Sequence, residues 1–112
     1  MLRHKQQNKQ ITMDKFQSLI NGSKPVLVDF FATWCGPCKM MAPILTEVKE
    51  TLGDSVTIIK IDVDKNQSLM ASPQFQLRGV PTLMLFKEGK VLWKQAGVVP
   101  KEEIVSRIKS VC

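Results

Sequence analysis

Residues 30–39 are FFATWCGPCK and join a β-favouring run to a helical one. The run Val26–Phe31 is almost continuously apolar, which predicts a strand buried on both faces, as parallel sheets require. Asp29 alone interrupts it. After the second cysteine, apolar residues recur at helical spacing as far as Gly53, with Pro43 inside the predicted helix. These apolar residues are Met41, Ile44, Leu45, Val48 and Leu52.

The two cysteines stand at Cys-x-x-Cys spacing where the predicted strand meets the predicted helix. The first N–H groups of a helix have no partner within the helix, and the helix dipole is positive at that end. Both effects favour the thiolate form of Cys35, which is the attacking species in disulfide exchange. Cys38 is placed to attack a mixed disulfide on Cys35 intramolecularly, at an effective concentration far above that of a free thiol. The spacing therefore predicts thiol–disulfide chemistry.

Helices and strands alternate along the rest of the chain. Thr12 can cap a first helix that ends at Asn21-Gly22, and Glu88-Gly89-Lys90 marks a hairpin. A strand-helix-strand unit followed by a hairpin predicts a mixed sheet with helices on both faces. The other predicted elements are a strand over Val56–Val63, a short helix over Asn66–Phe75 interrupted by Pro73, strands over Thr82–Phe86 and Val91–Gln95, and a final helix that carries Ile104, Val105, Ile108 and Val111.

Length and composition fit one domain. The chain has 112 residues, 44% of them apolar, which leaves no room for a second core of useful size. We expect residues 1–10 to be a polar tail or a weak edge strand, and residues 11–112 to form the domain. No stretch approaches the roughly 18 apolar residues of a membrane span, and the N-terminus lacks the apolar segment of an export signal. We therefore expect a cytoplasmic protein without membrane contact, and we also expect a monomer.

Charge and cysteine content exclude several classes of function. The net charge of +6 is spread along the chain without a basic run or interleaved aromatics, so nucleic-acid binding is not expected. Three cysteines are too few for the disulfide framework of a secreted mini-protein. Structural zinc would need two more ligands, and only Cys112 and His4 remain, at opposite ends of the chain. Without a dinucleotide fingerprint or P-loop, we expect no bound metal or cofactor.

Residues 30–39 resemble the active-site segment of the thioredoxin family, in which Cys-Gly-Pro-Cys is typical of the reducing members. The resemblance extends in order, with nearly the family's spacing, from about Ile11 to Val111. It implies an α/β thioredoxin fold, with a central mixed four- to five-stranded sheet flanked by helices on both faces. The other motifs that carry it are Val28-Asp29-Phe30, Lys60 in Lys60-Ile61-Asp62-Val63-Asp64, Arg78-Gly79-Val80-Pro81-Thr82, Pro43 and Gly97.

The resemblance implies a role for each catalytic residue. Cys35 would be the nucleophile and Cys38 the resolving thiol, while Gly97 would help to shape the site. Asp29 would take the proton from Cys38, because a carboxylate among apolar neighbours is desolvated and its pKa rises toward neutral. The alternative is that Asp29 is only a buried acid satisfied by Lys60.

The remaining implied site residues shape the surface around the cysteines. Trp34 would pack beside the dithiol and join the docking surface, unless it is an ordinary surface aromatic. Gly36 and Pro37 would shape the turn. A cis peptide before Pro81 would expose the backbone of Val80 to an extended substrate segment, whereas the sequence alone suggests only a turn proline.

The function that the resemblance implies is reduction of disulfides in client proteins, as part of electron transport and cell redox homeostasis. A thioredoxin reductase that draws on NADPH would recharge the cysteine pair. Two alternatives stay open: an exported oxidase, isomerase or cytochrome-maturation protein, and a non-catalytic binding module. Gly36-Pro37 favours the reductant, because oxidases and isomerases of the family usually carry histidine before the second cysteine. Departures at Phe31, Val98 and the long segment Asn66–Arg78 bear on the partner surface.

Overall fold

The computed structural model describes residues 10–112. The predicted tail or edge strand of residues 1–10 therefore lies outside the described residues, except for the exposed Gln10. In chain order the elements are α1 (Met13–Ile20), β1 (Val26–Phe31), α2 (Gly36–Leu52), a 3₁₀ turn (Gly53–Ser55), β2 (Thr57–Asp62), α3 (Gln67–Met70), β3 (Thr82–Lys87), β4 (Lys90–Ala96) and α4 (Lys101–Lys109).

The four strands of the described region form one sheet in the order β2-β1-β3-β4. β1 is parallel to β2 and antiparallel to β3, and β3 is antiparallel to β4. Five of the six residues of β1 are buried, which confirms the prediction of a strand covered on both faces. The mixed sheet predicted from the strand-helix-strand unit and the hairpin is therefore present.

Helices cover both faces of this sheet. On one face α1, α3 and the following loop enclose a cluster that contains Phe16, Phe30 and Phe75, whose rings meet edge-on or tilted at 5.1–5.3 Å. On the other face α2 and α4 pack on Leu27 and its neighbours. Alternation along β1 decides which side chains reach which face, because successive residues of a strand point to opposite sides. None of the helices within residues 10–112 is long and apolar enough to cross a membrane.

Local chemistry explains where the first helices begin and end. The Thr12 hydroxyl accepts the N–H of Lys15, which confirms the predicted cap of α1. α2 ends as predicted at Gly53, whose φ of +55° suits a residue without Cβ.

The predicted helix over Asn66–Phe75 is wrong beyond Met70. Only Gln67–Met70 is helical, and the chain then turns through Ser72. Pro73 accounts for this end, because proline has no N–H to give the helix and disfavours helical backbone at the residue before it. The final helix, α4, is also shorter than its apolar pattern predicts. It ends at Lys109, although Val111 still packs against the core cluster that contains Leu27.

The hairpin between β3 and β4 turns at Glu88 and Gly89, both with positive φ, as the tight turns that match strand twist require. Their N–H groups donate to the carbonyls of Gly22 and Ile20, so the turn is tied to the end of α1. A Cβ on Gly89 would lie 2.7 Å from Oδ1 of Asn21. The predicted hairpin is thus confirmed, and the positive φ favours its glycine, whereas the exposed Asn21 side chain could move aside to admit a Cβ.

Candidate active site

The cysteine pair lies at the N-terminus of α2, where β1 ends. Cys35 and Cys38 form a disulfide, and their exposed fractions are only 4% and 6%. Cys35 is the N-cap of α2, and its Sγ accepts the N–H of Cys38 at 3.1 Å. Gly36 and Pro37 occupy the first helical turn, where the missing N–H of proline leaves no hydrogen bond unmade. The predicted setting at a strand–helix junction is confirmed.

A shallow groove of about 330 Å³ runs beside the disulfide. The carbonyl oxygen of Val80 lies 3.6 Å from Sγ of Cys35, and the Val80–Pro81 peptide is cis, as the resemblance implied. The N–H of Gly97 donates to the carbonyl of Pro81 at 2.8 Å. The fold therefore brings Val80, Pro81 and Gly97 together beside the cysteines. The groove is lined by Trp34, Val63, Met70, Leu77, Arg78, Gly79 and Val80.

Trp34 forms the outer rim of this groove. Its side chain is 71% exposed, and its indole Nε1 donates to Oδ2 of Asp64 at 2.9 Å. Asp62 fixes the turn that carries Asp64, because its Oδ1 accepts the N–H groups of Asp64 and Lys65. Trp34 is therefore held by a polar partner rather than by burial. The sequence prediction missed Asp64, although it stands in the Lys60–Asp64 motif.

Asp29 lies within the sheet, on the face that α2 covers. Alternation along β1 places it between Leu27, which packs on α2, and Phe31, which packs against the cysteines. Its side chain is 2% exposed, and Oδ1 has no hydrogen-bond partner among the described residues. Desolvation raises its pKa from 3.8 to about 6, partly offset by the positive charge of Lys60, its register partner on β2.

Comparison with known proteins identifies the family. The family model described as Thioredoxin matches residues 7–110. The chain belongs to the thioredoxin family. It is 47% identical over 103 residues to "Thioredoxin Y2, chloroplastic" of Arabidopsis thaliana, covering 91% of this chain and 60% of that protein. It is 46% identical over 101 residues to "Thioredoxin" of Alicyclobacillus acidocaldarius subsp. acidocaldarius, covering 90% of this chain and 94% of that protein.

A solved structure agrees with these relatives. The N21Q mutant thioredoxin from Halobacterium salinarum NRC-1 superposes with a TM-score of 0.79 at 33% identity, covering 92% of this chain and 87% of that one. The predicted thioredoxin fold is therefore confirmed. This thioredoxin domain carries its cysteine pair intact, as the Cys35–Cys38 disulfide. The chain spans less than two thirds of the chloroplastic relative's length, so the activity, substrates and partners of the whole protein are matters of proposal.

Neither the cysteines nor any other side chains of residues 10–112 form a candidate metal site. Within this range there is no group of three or more His, Cys, Asp and Glu residues placed to hold a metal ion. Cys112 is free and exposed at the last residue, and His4 lies outside the described residues.

Proposed function

We propose that this chain is a protein-disulfide reductase that carries two electrons from a thioredoxin reductase to disulfide-containing client proteins. The observation that carries the proposal is the Cys35–Cys38 disulfide, capped by a backbone N–H at the start of α2 and flanked by a groove. A hydrogen bond to Sγ stabilises a sulfur anion there when the pair is reduced. The groove supplies a place for the client chain next to the reacting sulfur.

The proposed exchange between the cysteine pair and a client disulfide proceeds in two steps. The Cys35 thiolate attacks one sulfur of the client disulfide, the client S–S bond breaks, and the departing sulfur leaves as a thiolate that takes a proton from solvent. Cys38 then gives up its proton and attacks the Cys35 sulfur, the bond between Cys35 and the client sulfur breaks, and the second client sulfur leaves as a thiolate that takes up a proton. The client has gained two electrons and two protons. The reductase returns two electrons, supplied by NADPH, to the cysteine pair, which takes up two protons as it becomes a dithiol again.

Asp29 is the proposed proton acceptor for Cys38. Its pKa of about 6 keeps it largely ionised at neutral pH yet basic enough to take a proton, which is the condition for general-base catalysis. Its place on the α2 face of β1 puts the carboxyl on the side of the sheet that carries Cys38. Lys60 serves as the opposing charge that keeps this pKa from rising further.

Client chains are proposed to dock in extended form along the groove. Val80 presents backbone beside Sγ of Cys35, while Trp34 supplies an exposed apolar rim. Gly36 and Pro37 shape the turn that holds the disulfide, and Gly97 supports the loop through Pro81. A β-type pairing with Val80 would bring a client disulfide within reach of Cys35.

The cytoplasm is the proposed compartment, and residues 11–112 as a monomer are the proposed functional unit. The Cys-Gly-Pro-Cys sequence, which has no histidine before the second cysteine, supports the role of a reductant. A reductant works only in a compartment where its dithiol is regenerated. Relatives are bacterial and chloroplastic, so a plastid is the main competing compartment. Acid trapping and alkylation in the source cells should find the pair mostly reduced, whereas a fully oxidised pair would oppose the proposal.

Cysteine variants test the proposed activity directly. Cys35→Ser should abolish reduction of insulin in an assay driven by NADPH and a thioredoxin reductase. Cys38→Ser should retain the first step and accumulate a mixed disulfide with the client, visible as a band that dithiothreitol removes. Cys112→Ser is the matched control, because it removes an exposed cysteine away from the site, and it should behave as the parent. Insulin reduction that survives Cys35→Ser would refute the assignment.

A further inference from the structure

One wall of the groove is the segment 77–80, which belongs to no helix or strand. Its end nearest the disulfide is held by Thr82, whose hydroxyl donates to the carbonyl of Gly79 at 2.7 Å. Between that anchor and the buried Phe75, the wall has mostly exposed or half-buried side chains. Leu77 packs against the core cluster and Val80 packs against the cysteines, so the shape of the groove depends on these contacts and on what holds the backbone at the other end of this segment.

Lys94 holds that other end. Its Nζ donates to the carbonyl of Phe75 at 2.7 Å and to the carbonyl of Gln76 at 3.0 Å. Gln76 has a φ of +47°, a conformation that is uncommon for a residue with a side chain. One cation thus fixes the two peptide units that immediately precede the wall. Hydrogen bonds from a charged donor are stronger than neutral ones, which suits Lys94 for this task.

The sheet in turn fixes Lys94. It lies on β4, where it pairs with Met84 of β3, so its backbone position is set by the strand register. The wall is therefore tied to the sheet at both ends, through Lys94 on β4 and Thr82 on β3. A segment tied in this way keeps one shape before a client arrives, and preorganisation of this kind increases affinity.

We propose that Lys94 is a positioning residue for protein substrates, which holds the wall of residues 77–80 in the form that an extended client segment docks against. The proposal rests on the proposed function, because it assigns a determinant of substrate docking to the same groove. Lys94 acts on docking through the wall, by its hydrogen bonds to Phe75 and Gln76, and not by contact with the cysteines. A competing explanation is that Phe75, fully buried beside Phe16 and Phe30, anchors the segment alone.

Single-turnover kinetics with two substrates separate these explanations. The pre-reduced protein is mixed with insulin, or with the small disulfide 5,5′-dithiobis(2-nitrobenzoate), over a range of substrate concentrations. For Lys94→Met we expect the half-saturating concentration of insulin to rise about fivefold, because apparent affinity falls with the fraction of molecules in the binding form. The maximal rate and the reaction with the small disulfide should be unchanged, since neither needs the wall. Lys94→Arg should restore the parent value.

The matched control is Lys90→Met, which removes the same charge from the same strand at an exposed position. It should behave as the parent, which would exclude a general effect of charge. Equal insulin kinetics for Lys94→Met and the parent would overturn the proposal in favour of Phe75, and equal losses with both substrates would overturn it in favour of a role in the dithiol chemistry. A parent that reduces the small disulfide but not insulin would refute the proposed function itself.

Discussion

Replacing Asp29 by asparagine should change stability in a way that depends on pH. Burial raises the pKa of Asp29 from 3.8 to about 6 in the folded protein. Between these values the folded state holds a proton that the unfolded state has released, so the parent loses stability as pH rises through this window. At about 1.36 kcal/mol for each pH unit, the full loss is about 3 kcal/mol. Asparagine does not titrate, so the Asp29→Asn variant does not lose this stability as pH rises.

Guanidinium unfolding of both oxidised proteins measures this difference between about pH 3.5 and about pH 8. The unfolding free energy of the variant minus that of the parent should increase by about 3 kcal/mol from the acid to the neutral end, mostly between pH 4 and about 6. Any packing cost of the amide is the same at every pH. The change of the free-energy difference with pH therefore reports the titration of Asp29 alone. A difference that stays constant across the range would refute the assignment of a raised pKa to Asp29.

Three further predictions concern kinetics, partner docking and the hairpin. Release of the client from a mixed disulfide should accelerate in the parent as pH rises through about 6, but not in Asp29→Asn, and superimposable pH profiles would remove Asp29 from the mechanism. Because the chain carries a net charge of +6, its reduction by an acidic reductase should slow as ionic strength rises from about 0.02 to about 0.2 M, and a flat rate would show that charge does not steer docking. Gly89→Ala should lower the unfolding free energy by about 1–2 kcal/mol through its positive φ, and an unchanged melting temperature would contradict that constraint.

The regular elements were predictable where local chemistry determines them. Thr12, Gly53 and the Glu88-Gly89 turn each act within a few residues, so their effect is visible in the sequence. The segment after Met70 was predicted wrongly, because its apolar residues pack in the core without a helix and Pro73 ends the helical backbone early. An apolar pattern reports burial, and burial does not require a helix.

The site was predictable only where motifs mark it. The cysteine pair and the Val80–Pro81 loop belong to recognisable motifs, and the fold brings them together. Asp64 and Lys94 were missed because each acts on a residue 18 or more positions away. A lysine on an exposed strand suggests only a solvated surface, and no local pattern shows which carbonyls its side chain reaches.

The reduction potential of the Cys35–Cys38 pair tests the central claim most directly. The protein would be equilibrated in dithiothreitol redox buffers, with Trp34 fluorescence or thiol alkylation as the readout. Thioredoxins that act as general reductants lie near about −270 mV, and we expect this chain to fall close to that family value. A potential near about −120 mV, the value of the strong oxidant DsbA, would contradict the account and reverse the direction of electron flow.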